Sequence, residues 1–132
     1  DRAVLIRGPS GAGKSRLAFQ LILAGRAGQL PATRLIGDDR VRLAKSDDGA
    51  LLVRSVAELA GQIEIRGLGL RRLDFVPDGR VGLVVDLAAA DAERLPPPRA
   101  LRTVVSGIDV PRIPVAAGDD ALLPVLAFPT TT

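Results

Sequence analysis

The stretch Gly8-Pro-Ser-Gly-Ala-Gly13-Lys14-Ser15 fills every fixed position of the pattern G-x-x-x-x-G-K-[ST]. It follows the apolar run Ala3-Val-Leu-Ile6 and precedes Arg16 to Ala24, where Leu17, Ala18, Leu21 and Ile22 share one helical face. Strand, glycine loop and helix are therefore expected in that order. Glycines let successive backbone N–H groups turn inward around phosphate oxygens, and the helix N-terminus adds its partial positive charge. Nucleotide or pyrophosphate binding follows, with Gly8, Pro9, Ser10, Gly11, Ala12, Gly13, Lys14 and Ser15 as the binding residues. Lys14 reaches the terminal phosphates and the Ser15 hydroxyl serves Mg²⁺. The plain alternative is a glycine-rich turn that only joins a strand to a helix.

The rest of the chain reads mostly as strands and turns. Leu35-Ile36 starts a second strand that ends at Gly37-Asp38-Asp39, and Ser46-Asp-Asp-Gly49 separates two apolar segments as a β-hairpin. Ser55 is placed to cap a short helical turn over Val56 to Leu59, and Ile63-Glu-Ile65 alternates before Gly67-Leu-Gly69. Val81 to Leu87 is almost continuously apolar, as expected of a central strand covered on both faces. Ala88 to Arg94 has room for a helical turn before Pro96-Pro-Pro98, and strands follow at Leu101 to Val105 and Val110 to Val115. Pro124 and Pro129 argue against a long terminal helix unless it begins near Pro124. The expected class is α/β, a P-loop nucleotide-binding core of mostly β-strands with one P-loop helix. Residues 1–132 form a single domain, with no internal repeat and no linker.

Composition narrows the chemistry. With no cysteine and no histidine, these residues offer no thiolate nucleophile, disulfide, Cys/His zinc site or histidine base. Carboxylates, hydroxyls, amines and guanidinium groups must do the work. Of the 18 basic residues only Lys14 and Lys45 are not arginine, and the arginines are scattered. Only Phe19, Phe75 and Phe128 are aromatic, so the clustered charge and stacking platforms of a nucleic-acid binder are missing. No apolar run approaches the roughly 20 residues that span a bilayer, and the N-terminus reads as a strand rather than a signal peptide. A cytoplasmic location is expected.

Two apolar runs end in aspartate: Leu35-Ile-Gly-Asp38-Asp39 and Leu83-Val-Val-Asp86. By pattern, Asp86 looks the more usual strand-end carboxylate for a metal. Adjacent carboxylates near a triphosphate hold a proton more tightly unless a cation compensates, which suits Asp38 to take a proton from a hydroxyl nucleophile. A solvated turn is the alternative for Asp38-Asp39. In Gln62-Ile-Glu64-Ile-Arg66-Gly67-Leu-Gly69, Glu64 and Arg66 fall on one side of an extended segment as an ion-paired or phosphate-facing unit. An exposed pair of small energetic worth is the alternative there.

Read in order, Ala3-Val-Leu-Ile-Arg-Gly-Pro-Ser-Gly, Asp38-Asp39-Arg40-Val41, Gly61-Gln-Ile-Glu-Ile-Arg-Gly-Leu-Gly69, Leu83-Val-Val-Asp-Leu87 and Glu93-Arg-Leu-Pro96 resemble the catalytic domain of HPr kinase/phosphorylase. The form resembled is the short one of alphaproteobacteria, which lacks an N-terminal domain. The resemblance implies an HPr kinase/PEP carboxykinase-like fold. It implies a serine kinase of the phosphocarrier HPr that uses ATP or pyrophosphate with Mg²⁺, with phosphorylase activity in reverse, assembled as a hexamer. Carried onto this chain, it makes Ser15 a metal ligand, Asp38 the base supported by Asp39, Glu64 an aid to the metal, and Arg66 a phosphate or signature-loop contact. Three features depart from the family. No histidine is present, Arg16 stands where the family is usually acidic, and the late stretch Pro114-Val-Ala-Ala-Gly-Asp-Asp120 lacks an arginine-asparagine pair. Weak phosphorolysis is the expectation. A P-loop small-molecule kinase and a nucleotide-sensing module with weak transfer are the competing readings. No compact arginine-rich lid is obvious beyond Arg71-Arg72 to favour the first.

Overall fold

The computed structural model describes residues 2–132. Its strands are β1 (Ala3–Arg7), β2 (Val41–Lys45), β3 (Leu51–Ser55), β4 (Gln62–Ile65), β5 (Gly69–Arg72), β6 (Asp78–Leu87), β7 (Arg102–Val105) and β8 (Ile108–Val115). Two α-helices, α1 (Lys14–Arg26) and α2 (Leu122–Thr130), and two short 3₁₀ turns, Ala57–Leu59 and Pro98–Leu101, complete it. The expected α/β class and strand-rich core are what the chain adopts.

Strand β6 is the hub. It pairs parallel with β1 and with β8, while its first residues pair antiparallel with β3, giving a six-stranded sheet ordered β2-β3-β6-β8-β7 with β1 joined to β6. Val84 and Val85 have no exposed surface, as a doubly covered central strand requires. The register of β1 against β6 shifts after the pair Ala3–Val81, so that Val4 meets Leu83. The extra residue, Gly82, inverts the alternation of side chains. In consequence Val81 joins Val84 in the cluster with Leu5, Leu51, Val53 and Val110. Leu83, Val85 and Leu87 pack on the other side against Leu17 and Leu21 of α1 and Val125 of α2.

A separate two-stranded sheet, β4–β5, covers the remaining side of α1. Its Ile63 is almost fully buried with Ile22 and Leu35. Thus α1 is fixed from two directions, and the loop that begins it has a rigid base.

Several sequence expectations are corrected. Leu35-Ile36 is not a strand: Leu35 makes one isolated parallel bridge to Phe75, because the chain turns at once through Gly37–Arg40. Ser55 caps nothing; it ends β3, its N–H donating to Pro77 O at 2.9 Å, and Val56 precedes the 3₁₀ turn. Ala88 to Arg94 forms no helix, since Ala88 at φ 54° turns the chain out of β6. Helix α2 does begin near Pro124, which occupies its third position, where a missing N–H leaves no helical bond unmade. Near its end, Thr130 and Thr131 hydroxyls donate to Leu126 O and Ala127 O at 2.7 and 2.6 Å. No helix among the described residues is long and apolar enough to cross a membrane.

Gly25 lies within α1, where alanine ordinarily gains about 1 kcal/mol. A Cβ there, however, meets Thr33 N at 2.8 Å and Pro31 O at 3.0 Å. Gly25→Ala is therefore expected to lower stability by about 1–2 kcal/mol, against helix propensity. Urea unfolding checks this, and a stabilised variant would show that the Gly28–Thr33 turn yields freely.

Candidate functional site

The glycine-rich loop from Gly8 to Gly13, read from sequence as a phosphate loop, joins the end of β1 to the start of α1. Gly13 precedes the helix at φ 98°, ψ 22°, a left-handed conformation that favours glycine over any side chain. No side chain caps α1 and no acidic residue lies in its first turn. Its initial N–H groups and positive end are left to an anion. Lys14 Nζ donates to Gly8 O at 2.7 Å and Pro9 O at 3.1 Å, so the ammonium sits over the loop it serves.

Ser15, in the first turn of α1, donates its hydroxyl to Asp38, whose carboxylate oxygens lie 2.7 and 2.9 Å away. The backbone N–H of Glu64 also donates to Asp38, at 3.2 Å. Asp38 thus links the phosphate loop to β4 across 23 residues of sequence on one side and 26 on the other. Asp39 shares none of these hydrogen bonds. At φ 50° it is left-handed, a conformation Asp tolerates, and it lines a cleft of about 500 Å³ with Leu5, Arg7, Arg40 and Arg42.

Glu64 is exposed on β4, and Arg66 is exposed in the turn between β4 and β5. Among the described residues they form no ion pair with each other, so of the ion-paired or phosphate-facing unit expected from their spacing the ion-paired form is not adopted. Among the described residues no three carboxylates converge there as a metal cage. A hydroxyl and a carboxylate beside a phosphate loop nevertheless fit Mg²⁺, which takes one or two carboxylates and completes its shell with water and substrate phosphates.

Asp86, the other strand-end aspartate, is not brought to Ser15. Arg7 grips it with two bonds, Nε to Oδ1 at 2.7 Å and Nη2 to Oδ2 at 2.8 Å, and Arg112 Nε adds a third to Oδ2 at 2.5 Å. Arg112 extends the chain to Asp91 through bonds of 2.8 and 2.9 Å. The register explains the cluster: Arg7 stands opposite Asp86 on β1, and Arg112 lies on the other flank of β6. Burial opposes the charge of Asp86, but the hydrogen bonds from Arg7 and Arg112 prevail and hold its pKa below the ordinary carboxylate value. Hydrogen bonding to Asp91 raises that of Arg112 further above its already high value. Sequence reading missed this role. Arg7 touches the phosphate loop in sequence, yet its partner is visible only once β1 and β6 are paired.

A family model described as HPr Serine kinase C-terminal domain matches residues 1–121. The HPr kinase/phosphorylase of Geobacillus thermodenitrificans is 34% identical over 98 residues, covering 69% of this chain and 29% of that protein. That of Levilactobacillus brevis is 40% identical over 67 residues, covering 51% and 19%. The chain thus spans under a third of the length of these curated relatives. The solved Hpr(Ser) kinase/phosphatase of Coxiella burnetii superposes with a TM-score of 0.74 at 25% identity, over 98% of this chain and 86% of that one.

Asp86→Asn keeps the shape and removes the charge from two half-buried arginines. A loss of about 2 kcal/mol is expected at neutral pH. Because the folded pKa is depressed, the wild-type advantage is present above the unfolded value of about 4 and is lost as pH falls through the folded one. Urea unfolding of both proteins across acid pH should show the gap closing. A gap constant with pH would assign the loss to shape rather than charge.

Proposed function

This chain belongs to the HPr Serine kinase C-terminal domain family, and from that premise we propose that it transfers a phosphoryl group from ATP or pyrophosphate to a seryl hydroxyl of an HPr-type phosphocarrier. The observation that carries the reading is the contact of Ser15 with Asp38 at the mouth of a phosphate loop whose helix has no acidic residue in its first turn. Such a loop supplies positioning and charge stabilisation, which is most of what phosphoryl transfer asks of a protein.

In this proposal Gly8 to Ser15 cradle the donor phosphates and Lys14 leaves its loop carbonyls for the terminal ones. Ser15 and Asp38, with Glu64 beside them, hold Mg²⁺, which when bound neutralises charge on the transferring group. In this proposal Asp38 is given to the metal, since the Ser15 hydroxyl already engages its carboxylate, and the base role read for Asp38 from sequence is given to the adjacent Asp39, whose carboxylate accepts no side-chain hydrogen bond among the described residues. The seryl oxygen bonds to the terminal phosphorus, the bond to the leaving ADP or phosphate breaks, and the seryl proton passes to the Asp39 carboxylate. Arg66 binds phosphate oxygens from the hairpin turn.

A cytoplasmic location is proposed together with the HPr partner. A homo-oligomer, hexameric by resemblance, is proposed with it, and exposed Leu68, Leu70 and Leu123 leave apolar surface for such contacts. Phosphorolysis is the weaker direction. It needs two anions held together, and the late turn presents Asp119 and Asp120 rather than cations.

Lys14→Ala is expected to reduce ATP affinity at least tenfold, roughly the worth of one charge-assisted contact, with the fold unchanged. Calorimetry with circular dichroism checks both parts. Asp38→Asn should weaken Mg²⁺-dependent nucleotide binding, whereas Asp39→Asn should bind normally and lose transfer by about 100-fold or more. The reverse pattern would restore the base role to Asp38. Incubation with γ-labelled ATP and HPr, small hydroxyl acceptors or neither tests the whole reading. Label on an HPr serine is expected. Label only on small acceptors, or binding without transfer, would replace it with a small-molecule kinase or a sensing module.

A further inference from the structure

The β4–β5 sheet has two strands, so β5 ends it with an edge that pairs with no other strand among the described residues. The register shows which groups stand on that edge. The Leu73 N–H donates to Gly61 O at 2.8 Å, which makes these two opposed residues a hydrogen-bonded pair. Alternation along the ladder makes Ile63–Arg71 the next bonded pair and turns the N–H and C=O of Leu70 and Arg72 outward, away from β4. Glu64, opposite Leu70, has the same phase: its N–H leaves the sheet on the other edge and donates to Asp38. The outward groups of Leu70 and Arg72 have no backbone partner among the described residues.

The side chains of this edge are unspent as well. All four residues of β5 are exposed, Leu70 to 70%, and Leu68 in the preceding turn is 62% exposed. Leu70 and Arg72 share one face and Arg71 takes the other. Arg71 and Arg72 form no ion pair among the described residues, although Glu64 and Asp74 are close in sequence. Charge on an edge strand ordinarily keeps other strands away, but exposed leucines beside it undo that protection. The other end strands differ. In β7, which also exposes Val104, Arg102 is already paired with Asp109 at 3.0 Å, and Leu43 of β2 is only 37% exposed.

Unpaired backbone groups, exposed leucines and uncompensated guanidinium groups on one strand match an extended segment that carries acid. We propose that the outer edge of β5 takes an extended acidic segment of a partner protein as the third strand of the β4–β5 sheet. Backbone bonds to Leu70 and Arg72 set its register, an apolar residue covers Leu70, and carboxylates on its two faces meet Arg71 and Arg72. Pairing of β5 with β5 of a second copy sets arginines against arginines, which cross-strand packing disfavours. Of the apolar surface offered above to copies of the chain, the segment takes Leu68 and Leu70 and leaves Leu123. The edge lies on the far side of β4 from Asp38, so the inference is independent of the phosphate-loop reading.

The test is amide hydrogen exchange of the whole chain, read residue by residue by NMR. The probes are a peptide Glu-Glu-Val-Glu-Glu-Val with blocked ends, which presents carboxylates and a valine on each face, and its counterpart with lysine for glutamate. The acidic peptide is expected to slow exchange at Leu70 and Arg72 by about tenfold or more and to leave Arg71, already bonded to Ile63, unchanged. The lysine peptide should slow neither. Arg72→Glu should weaken binding of the acidic peptide by about fivefold, and wild-type binding should weaken as salt rises from about 0.05 to 0.3 M. Arg72→Pro removes only an outward N–H, a change an edge strand accommodates, and should abolish binding. If that variant fails to fold, Arg72→Glu decides. Equal protection by both peptides, protection centred on Gly8 to Ser15, or unchanged exchange at Leu70 and Arg72 would overturn the proposal. Protection of these two amides that grows with protein concentration in the absence of peptide would overturn it in favour of a second copy.

Discussion

The pairing of β6 on both edges is the constraint from which the rest of the site follows. Val84 to Asp86 are held between β1 and β8, and two of these residues have no solvent exposure at all. A strand so enclosed cannot slip by one residue without exchanging its two apolar faces. Its register therefore fixes where β1 ends. Arg7, the last residue of β1, is bound through its side chain to Asp86, and the phosphate loop starts at the next residue. The loop is anchored at one end by this ion cluster and at the other by α1, which lies between the main sheet and β4–β5.

Two carboxylates that look alike in sequence thereby acquire different duties. Asp38 and Asp86 each follow an apolar run. Asp86 is enclosed by guanidinium groups that satisfy both its oxygens, so it balances charge and holds β1, β6 and β8 in register. Among the described residues the Asp38 carboxylate has only a hydroxyl and a backbone N–H as partners, which leaves a net negative charge beside the loop for a cation to meet. The division depends on partner chemistry and not on the strands themselves.

Much of this was legible in the sequence. The order of strand, glycine loop and helix from Ala3 to Arg26 was, because glycine, lysine and hydroxyl positions at fixed spacing between two apolar patterns leave few other structures open. The central position of Val81 to Leu87 was, because an unbroken apolar run has no face left for water. The Gly82 bulge was not, since nothing in the run marks which side chain changes face. Nor was the fate of Leu35-Ile36, where two apolar residues suggested a strand and the turn at Gly37 allowed one bridge. Asp86 was misread for a related reason. Its partners lie 79 and 26 residues away, and only the paired register brings them near.

The division between the two carboxylates is open to direct observation. Crystals of the chain grown with Mn²⁺ and ADP, measured at a wavelength where manganese scatters anomalously, locate the metal without assumption. The expected result is one peak within bonding distance of Ser15 Oγ and beside the Asp38 carboxylate, with Arg7 and Arg112 still on Asp86. A peak on Asp86 with either arginine displaced, and none beside Ser15, would contradict it.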